Sequence, residues 1–171
     1  MKSYGTEVEF LTLFSPSKQS QYSLQEERCV TGKAPTLSQL KASYGENIAE
    51  TWLVPQLFDL SEYCGCKEKI SEGQIRELSR ILAATYHYLK VTEFMLFFFR
   101  FKQGRYGKFY GAVDPLVITS AMLEFIRERS QIIDKIESEK RKQDFEEWKK
   151  KAISRDEYLR LYVNNPEKGQ N

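Results

Sequence analysis

Capping boxes followed by apolar stripes at helical spacing recur along this chain and constrain it to a mainly α-helical fold. Ser71-Glu72-Gly73-Gln74 has a serine and, three residues later, a glutamine, which together satisfy the exposed amides of a first helical turn. Ile75, Leu78 and Leu82 then follow at steps of three and four. This spacing predicts a helix over about residues 72–89.

Three further segments of the first two thirds of the chain carry helix-start signals or helical spacing. Thr36-Leu37-Ser38-Gln39 is another capping box, and its helix should end near Gly45. Apolar residues of 48–60 form one helical face, and Pro55 within them predicts a break or a kink because proline has no amide donor. Thr92 is the expected cap of a short helix whose residues 94–99 are all apolar, which places that helix in the core.

The second half of the chain predicts a long helix, and the sequence leaves open whether it is continuous beyond Ile136. Asp114-Pro115 is a strong start, because aspartate accepts first-turn amides and proline fits the first helical position. Helical spacing of apolar residues then continues to about Lys151. Ser154-Arg155-Asp156-Glu157 predicts one more start, with a short helix to about Val163.

These patterns predict a single-domain helical bundle of about five or six helices. Residues 1–35 lack a clear period and are expected to form an extended N-terminal arm, with a short strand as an alternative over Glu7–Phe14. The helical core is predicted over residues 36–136. A charged C-terminal helical extension is predicted over residues 137–171.

Net charge, cysteine count and the length of apolar runs limit the classes of function that this chain can have. The net charge of +2 gives no global case for nucleic-acid binding. Three cysteines and no apolar signal core in the first ten residues favour a reducing compartment over a disulfide framework. The longest apolar run, Phe94–Phe99, has six residues, whereas a membrane span needs about 20. We therefore expect a soluble, cytoplasmic protein without a membrane segment.

The stretch Arg100–Gly111, RFKQGRYGKFYG, is the main candidate binding site, because it has four cations, four aromatics and no acid. Cations neutralise phosphates and aromatics stack on unpaired bases. The alternative is a structured turn, in which the glycines adopt positive φ and Tyr106, Phe109 and Tyr110 pack onto neighbouring helices. The candidate contact residues are Arg100, Lys102, Arg105, Tyr106, Lys108 and Tyr110.

The charged extension is the second candidate. Acids precede bases at steps of three and four, which is typical of a solvated helix. Phe145, Trp148 and Ala152 recur on one side of it and predict a helix that binds a protein partner.

Metal binding and catalysis have weaker support. Cys64-Gly65-Cys66 does not have the usual zinc-knuckle spacing, and His87 is distant in sequence. The only histidine has no evident nucleophile partner, and no phosphate-binding glycine loop of the P-loop type occurs. Glu93 and Asp114 are explained by the first turns of their helices. We expect no cofactor, no metal and no enzymatic activity.

Residues Lys69–Ile133, and most distinctively FFFRFKQGRYGKFYGAVDP at 97–115, resemble an uncharacterised family of small proteins from phages and mobile elements of gut-type Bacteroidetes. More distantly, the pattern is similar to small helical phage replication accessory proteins, including helicase loaders. These place a glycine-bearing turn and Asp-Pro before a long helix. The resemblance implies a role in DNA replication and a replicative helicase as partner.

The leading hypothesis is a non-enzymatic adaptor of a phage or mobile element that docks on a protein. One alternative is direct binding of single-stranded nucleic acid through Arg100–Gly111. Another is a structural or host-interference protein of the element. The dependence of binding affinity on salt concentration would distinguish the two kinds of site. Binding to phosphate groups weakens steeply as the salt concentration rises, whereas binding at an apolar docking site does not.

Overall fold

The computed structural model describes residues 4–152 and 155–159, and within these ranges the chain is mainly α-helical. The helices are α1 Glu7–Leu13, α2 Gln19–Ser23, α3 Glu26–Thr31, α4 Leu37–Tyr44, α5 Ile48–Tyr63, α6 Glu72–Thr85, α7 Val91–Lys102, α8 Pro115–Lys151 and α9 Arg155–Tyr158, with a 3-10 turn at Pro16–Lys18. The described residues form no β-strand, only two isolated bridges. The chain divides into two compact units, Met1–Ile133 and Asp134–Asn171.

The capping signals at the starts of three helices are confirmed. The Thr36 and Ser71 side chains each accept a hydrogen bond from the backbone amide three residues later. The glutamine at that later position in turn accepts a hydrogen bond from the backbone amide of the cap residue. Asp114 Oδ1 accepts from the Leu116 amide at 2.8 Å, and α8 begins at Pro115 as predicted. Helix α6 ends at Thr85, four residues before the predicted end, because the chain turns and the Leu89 amide bonds the Tyr86 carbonyl.

The N-terminal segment differs from the predicted extended arm. Helices α1, α2 and α3 occupy much of residues 7–31, and Thr6 starts α1 with a capping box of its own. Phe10 and Phe14 are buried in the core, with 0% and 2% exposure. These helices are too short to show a full apolar period, so their stability comes from tertiary packing.

Two local predictions were wrong. The break expected at Pro55 does not occur, because α5 runs without interruption through this residue, which lies on its exposed side. Thr92 lies inside α7 and does not cap it; Lys90 is the cap residue, and its amide donates to Glu93 Oε2 at 2.7 Å. The Thr92 hydroxyl instead donates to the Cys29 carbonyl at 2.7 Å, which joins α7 to α3.

The core of the first unit is built around α7. Ten of its twelve residues are buried, which agrees with the all-apolar run at residues 94–99. Phe97 packs edge-on against Phe125 of α8 at a ring separation of 5.7 Å, and Phe94 against Trp52 of α5 at 6.0 Å. The turn that follows α7 is therefore anchored on the most buried helix.

Helix α8 is a single helix of 37 residues, which answers the question that the sequence left open beyond Ile136. Its buried residues, Ile118, Ala121, Met122 and Phe125, all belong to the first unit. The predicted cap Ser154 and the predicted helix end at Val163 lie outside the described residues. Among the described helices, none combines the length and the apolar composition that crossing a bilayer requires.

Candidate functional site

The stretch Arg100–Gly111 forms the end of α7 and a glycine-bearing turn. Gly104, Gly107 and Gly111 have φ values of +80°, +99° and +80°, which confirms that the turn depends on left-handed backbone. Tyr106 is buried and stacks on Phe97 at 5.6 Å, and Phe109 stacks on Phe101 at 5.4 Å. The turn is therefore packed onto the core.

Arg100 is buried and bridges two acids. Its side chain is 3% exposed, and its terminal nitrogens lie 2.8 Å from Glu26 Oε2 of α3 and 2.8 Å from Glu128 Oε2 of α8. The guanidinium also lies over the Phe125 ring, 5.9 Å from its centroid. A buried guanidinium held in this way joins three helices and does not present its charge to a ligand.

Glu128 accepts from two residues of the turn as well. Arg105 Nε lies 2.7 Å from Oε1, and the Tyr106 hydroxyl donates to Oε2 at 2.9 Å. Burial, and then the neighbouring carboxylate, raise the pKa of Tyr106, so the hydroxyl keeps its proton and remains a donor. One acid thus holds Arg100, Arg105 and Tyr106 together.

Lys102 is paired on the other side of the turn. Its ammonium bonds the Asp59 carboxylate of α5 and lies over the Tyr63 ring at 5.5 Å. The interpretation of the stretch as unopposed positive charge was therefore wrong. The stretch has no acid of its own, but acids from α3, α5 and α8 neutralise three of its four cations.

Lys108 and Tyr110 are the two candidate residues of the turn that remain available. Tyr110 is 90% exposed, so the expectation that it packs on a helix was wrong. Lys108 is exposed as well, whereas Phe109 between them is half-buried and stacks on Phe101. Lys108 makes no ion pair within the described part of the chain.

A second buried ion pair was not foreseen from the sequence. Glu93 of α7 has no solvent exposure, and Arg129 Nε of α8 lies 2.5 Å from its Oε1. Burial raises the pKa of the Glu93 carboxyl, while the Lys90 amide and the Arg129 guanidinium oppose that rise. Both buried ion pairs could have been found from the sequence of α8. Glu128 and Arg129 lie three and four residues after Phe125, which places these charged residues on the apolar side of the helix.

The second unit presents the aromatic pair of the charged extension. Phe145 and Trp148 are 52% and 62% exposed, and their rings stack at 5.9 Å with planes 18° apart. Lys149 lies over the Phe145 ring at 4.7 Å. These two predicted contact residues are thus brought together on the solvent side of a helix.

Within residues 141–152, the side of α8 that carries Phe145 and Trp148 also carries cations and no acid. The residues on this side are three or four positions apart, so they align along one face of the helix. We call this the basic–aromatic face; it consists of Arg141, Lys142, Phe145, Trp148, Lys149 and Ala152. Asp144, Glu146 and Glu147 stand one or two positions from Phe145 and therefore lie to the side or behind.

Groups that could perform chemistry are sparse in the described ranges. No cluster of three or more metal-ligating side chains occurs there. Ser38 Oγ lies 3.0 Å from His87 Nδ1, but it also lies 3.1 Å from the His87 carbonyl oxygen. The histidine ring makes an edge contact with Tyr88 at 5.8 Å, and no acid orients it among those residues. This arrangement lacks the third group of a relay.

Comparison with known proteins identifies a family. No curated protein and no solved structure matches the chain significantly. A family described as "Family of unknown function (DUF6633)" matches residues 69–166, which include α6, α7, the glycine-bearing turn and α8. This match covers more than half of the 171 residues. The chain therefore belongs to DUF6633, a family of unknown function.

Proposed function

We propose that this protein is a non-enzymatic adaptor that docks on a protein partner through the basic–aromatic face of α8. The observation that carries the proposal is the stacked pair Phe145–Trp148, which is more than half exposed in the charge-rich part of α8. Large aromatics are enriched among the residues that dominate binding energy at interfaces. A solvated helix has no folding reason to hold two of them side by side.

The spacing of the face suits a helix that lies in a groove. Recognition of this kind uses anchors at steps of three, four and seven along one side of a helix. Phe145 and Trp148 supply the central anchors, Ala152 allows close approach at one end, and Arg141 stands at the other. Burying each aromatic side chain contributes about 1.5–3 kcal/mol.

The charges of the face indicate the chemistry of the partner. Arg141 and Lys142 flank the anchors on one end, and Lys149 lies beside Phe145. Glu146 reaches Lys149 at 3.3 Å, but this exposed pair contributes little and can rearrange. The face therefore favours a groove with an apolar floor and an acidic rim.

The ion pairs of the first unit support the adaptor proposal over the binding of phosphate groups by the turn. Three cations of Arg100–Gly111 already have acid partners, so releasing them to phosphates would leave Glu128 and Asp59 unpaired. Direct binding of single-stranded nucleic acid remains the alternative, with Lys108 and Tyr110 as the exposed cation and aromatic. The resemblance stated above makes a replicative helicase of a mobile element the first partner to test.

Affinity purification from the native host, with half of each sample treated with nuclease, tests the proposal. We compare the natural protein with a Phe145→Ala/Trp148→Ala variant. The control is Leu116→Ala/Leu123→Ala, because these leucines are also exposed on α8 but lie outside the face. We expect a protein that survives nuclease and is retained by the control but lost from the aromatic variant. In purified form, each single alanine should weaken its binding by about 2 kcal/mol, or roughly 30-fold.

Two results would overturn the adaptor proposal. One is a partner that binds the aromatic variant as tightly as the natural protein. The other is recovery of nucleic acid alone, lost on raising the salt concentration and in a Lys108→Glu/Tyr110→Ala variant, which would transfer the function to the turn.

A further inference from the structure

A cavity of about 430 Å³ lies among the N-terminal helices of the first unit. This volume falls within the range of small-molecule sites, which are concave, mostly apolar and have a few convergent polar groups. Its lining includes Leu13, Phe14, Tyr22, Arg28, Cys29 and Lys33. Nothing in the sequence indicated this cavity, because the segment was expected to be an extended arm.

The charged groups of this lining are all cations. Arg28 and Lys33 are exposed residues at the opening, and no acid belongs to the lining. Gln25 Oε1 accepts from Arg28 Nη1 at 3.2 Å, which orients the guanidinium. Two acids precede Arg28 on the same helix: Glu26 is drawn to Arg100 at 2.8 Å, and Glu27 lies outside the lining. An anion at the opening would therefore meet the two positive charges of the lining.

The interior of the cavity has neutral walls. Phe14 is buried, and the Cys29 thiol donates to the Tyr22 carbonyl at 2.6 Å. Burial raises the pKa of Cys29 to about 11, so the sulfur carries no charge that would repel an anion. Burial also raises the pKa of Tyr22, so its hydroxyl keeps a proton that it can donate.

We propose that this cavity binds a small ligand with an anionic head and an apolar body. Arg28 and Lys33 bind the carboxylate, phosphate or sulfonate of the head, and the Tyr22 hydroxyl donates to it. The body lies against Phe14, Leu13 and the neutral sulfur of Cys29. This site is independent of the basic–aromatic face and of the adaptor proposal.

A matched pair of fluorescent probes tests the site in the full chain. 1-Anilinonaphthalene-8-sulfonate has the anionic head, and N-phenyl-1-naphthylamine has the same rings without it. We compare Arg28→Gln/Lys33→Gln with the control Arg127→Gln/Lys67→Gln, which removes one exposed arginine and one exposed lysine outside the cavity. All four side chains are exposed, so each variant should fold, which a thermal melt verifies.

We expect the sulfonate to bind at least tenfold more weakly to Arg28→Gln/Lys33→Gln than to the control, and the neutral probe to bind both alike. The amide resonances of Gly32 and Ala34 should shift on binding. A second groove of about 650 Å³ at Val54, Phe58 and Ile75 offers an apolar alternative, and its one cation, Arg76, is paired with Glu72 at 2.5 Å. The proposal is overturned if the sulfonate binds both variants equally, if it shifts Phe58 instead of Ala34, or if it does not bind.

Discussion

Arg129→Met is the substitution that most directly tests the buried ion pair of α7 and α8. Methionine keeps an apolar stem of similar length but removes the charge. Glu93, which has no solvent exposure, then loses its only side-chain partner among the described residues. The Lys90 amide alone would remain as a donor to the buried carboxylate.

The expected loss of stability is large. Removing one partner of a buried pair costs about 3–5 kcal/mol. Arg129 keeps 22% of its side-chain exposure, and Glu93 can take up a proton, so we expect a loss near the lower end of that range at pH 7. On a scale of about 2–4 °C per kcal/mol, a loss of about 3 kcal/mol lowers the Tm by about 6–12 °C.

The loss should depend on pH with a definite sign. Burial raises the pKa of Glu93 in the folded protein, so its ionisation opposes folding. The stability that Glu93 contributes is complete below its unfolded pKa of about 4.3 and is lost as the pH rises through the folded pKa. In Arg129→Met the folded pKa is higher still, so the deficit relative to the natural protein should be small near pH 4 and grow toward pH 7.

Urea unfolding followed by circular dichroism at pH 4 and pH 7 measures the deficit. Arg127→Met is the control, because Arg127 is an exposed neighbour on the same helix. Glu93→Gln/Arg129→Met, which removes both charges, should recover part of the stability that Arg129→Met loses. A deficit below about 1 kcal/mol at pH 7, or an equal deficit at both pH values, would refute the reasoning.

Four further substitutions test helix caps and backbone conformation, each by thermal or urea unfolding. Ser71→Ala removes the cap hydroxyl of α6 and should cost about 1 kcal/mol, so an unchanged midpoint would contradict the cap. Gly107→Ala, at φ +99°, should cost about 1–2 kcal/mol, whereas Gly73→Ala, with open space inside α6, should stabilise by about 0.5–1 kcal/mol; the reverse order would contradict the turn. Pro55→Ala restores an amide that can donate to the Thr51 carbonyl and should stabilise by about 1 kcal/mol or more, so any loss would show that the proline suits α5.

The parts of the fold that could be predicted are the helix starts, because the contacts that determine them join residues only a few positions apart in the sequence. The caps at Thr36, Ser71 and Asp114 depend on contacts two or three residues apart, and each starts a helix as expected. The helices of residues 7–31 could not be predicted in this way. Each is at most seven residues long and relies on distant partners, such as the bond from Trp52 Nε1 to the Phe14 carbonyl at 2.8 Å.

The candidate site shows the same limit. The glycine positions and the packing of Tyr106 follow from the stretch itself. The acids that neutralise its cations are distant in sequence: Glu128 lies 28 residues from Arg100, and Asp59 lies 43 residues from Lys102. Ion pairs across such separations exist only once the helices have packed, so the composition of the segment alone overstates its charge.

The sharing of Glu128 makes the electrostatic character of this surface depend on one side chain. While its carboxylate is present, the turn is close to neutral and closed around Tyr106. Loss of that single negative charge would expose Arg105 beside Lys108 and turn the same backbone into a basic patch. The charge of Glu128 therefore decides whether this turn is masked or can attract an anion.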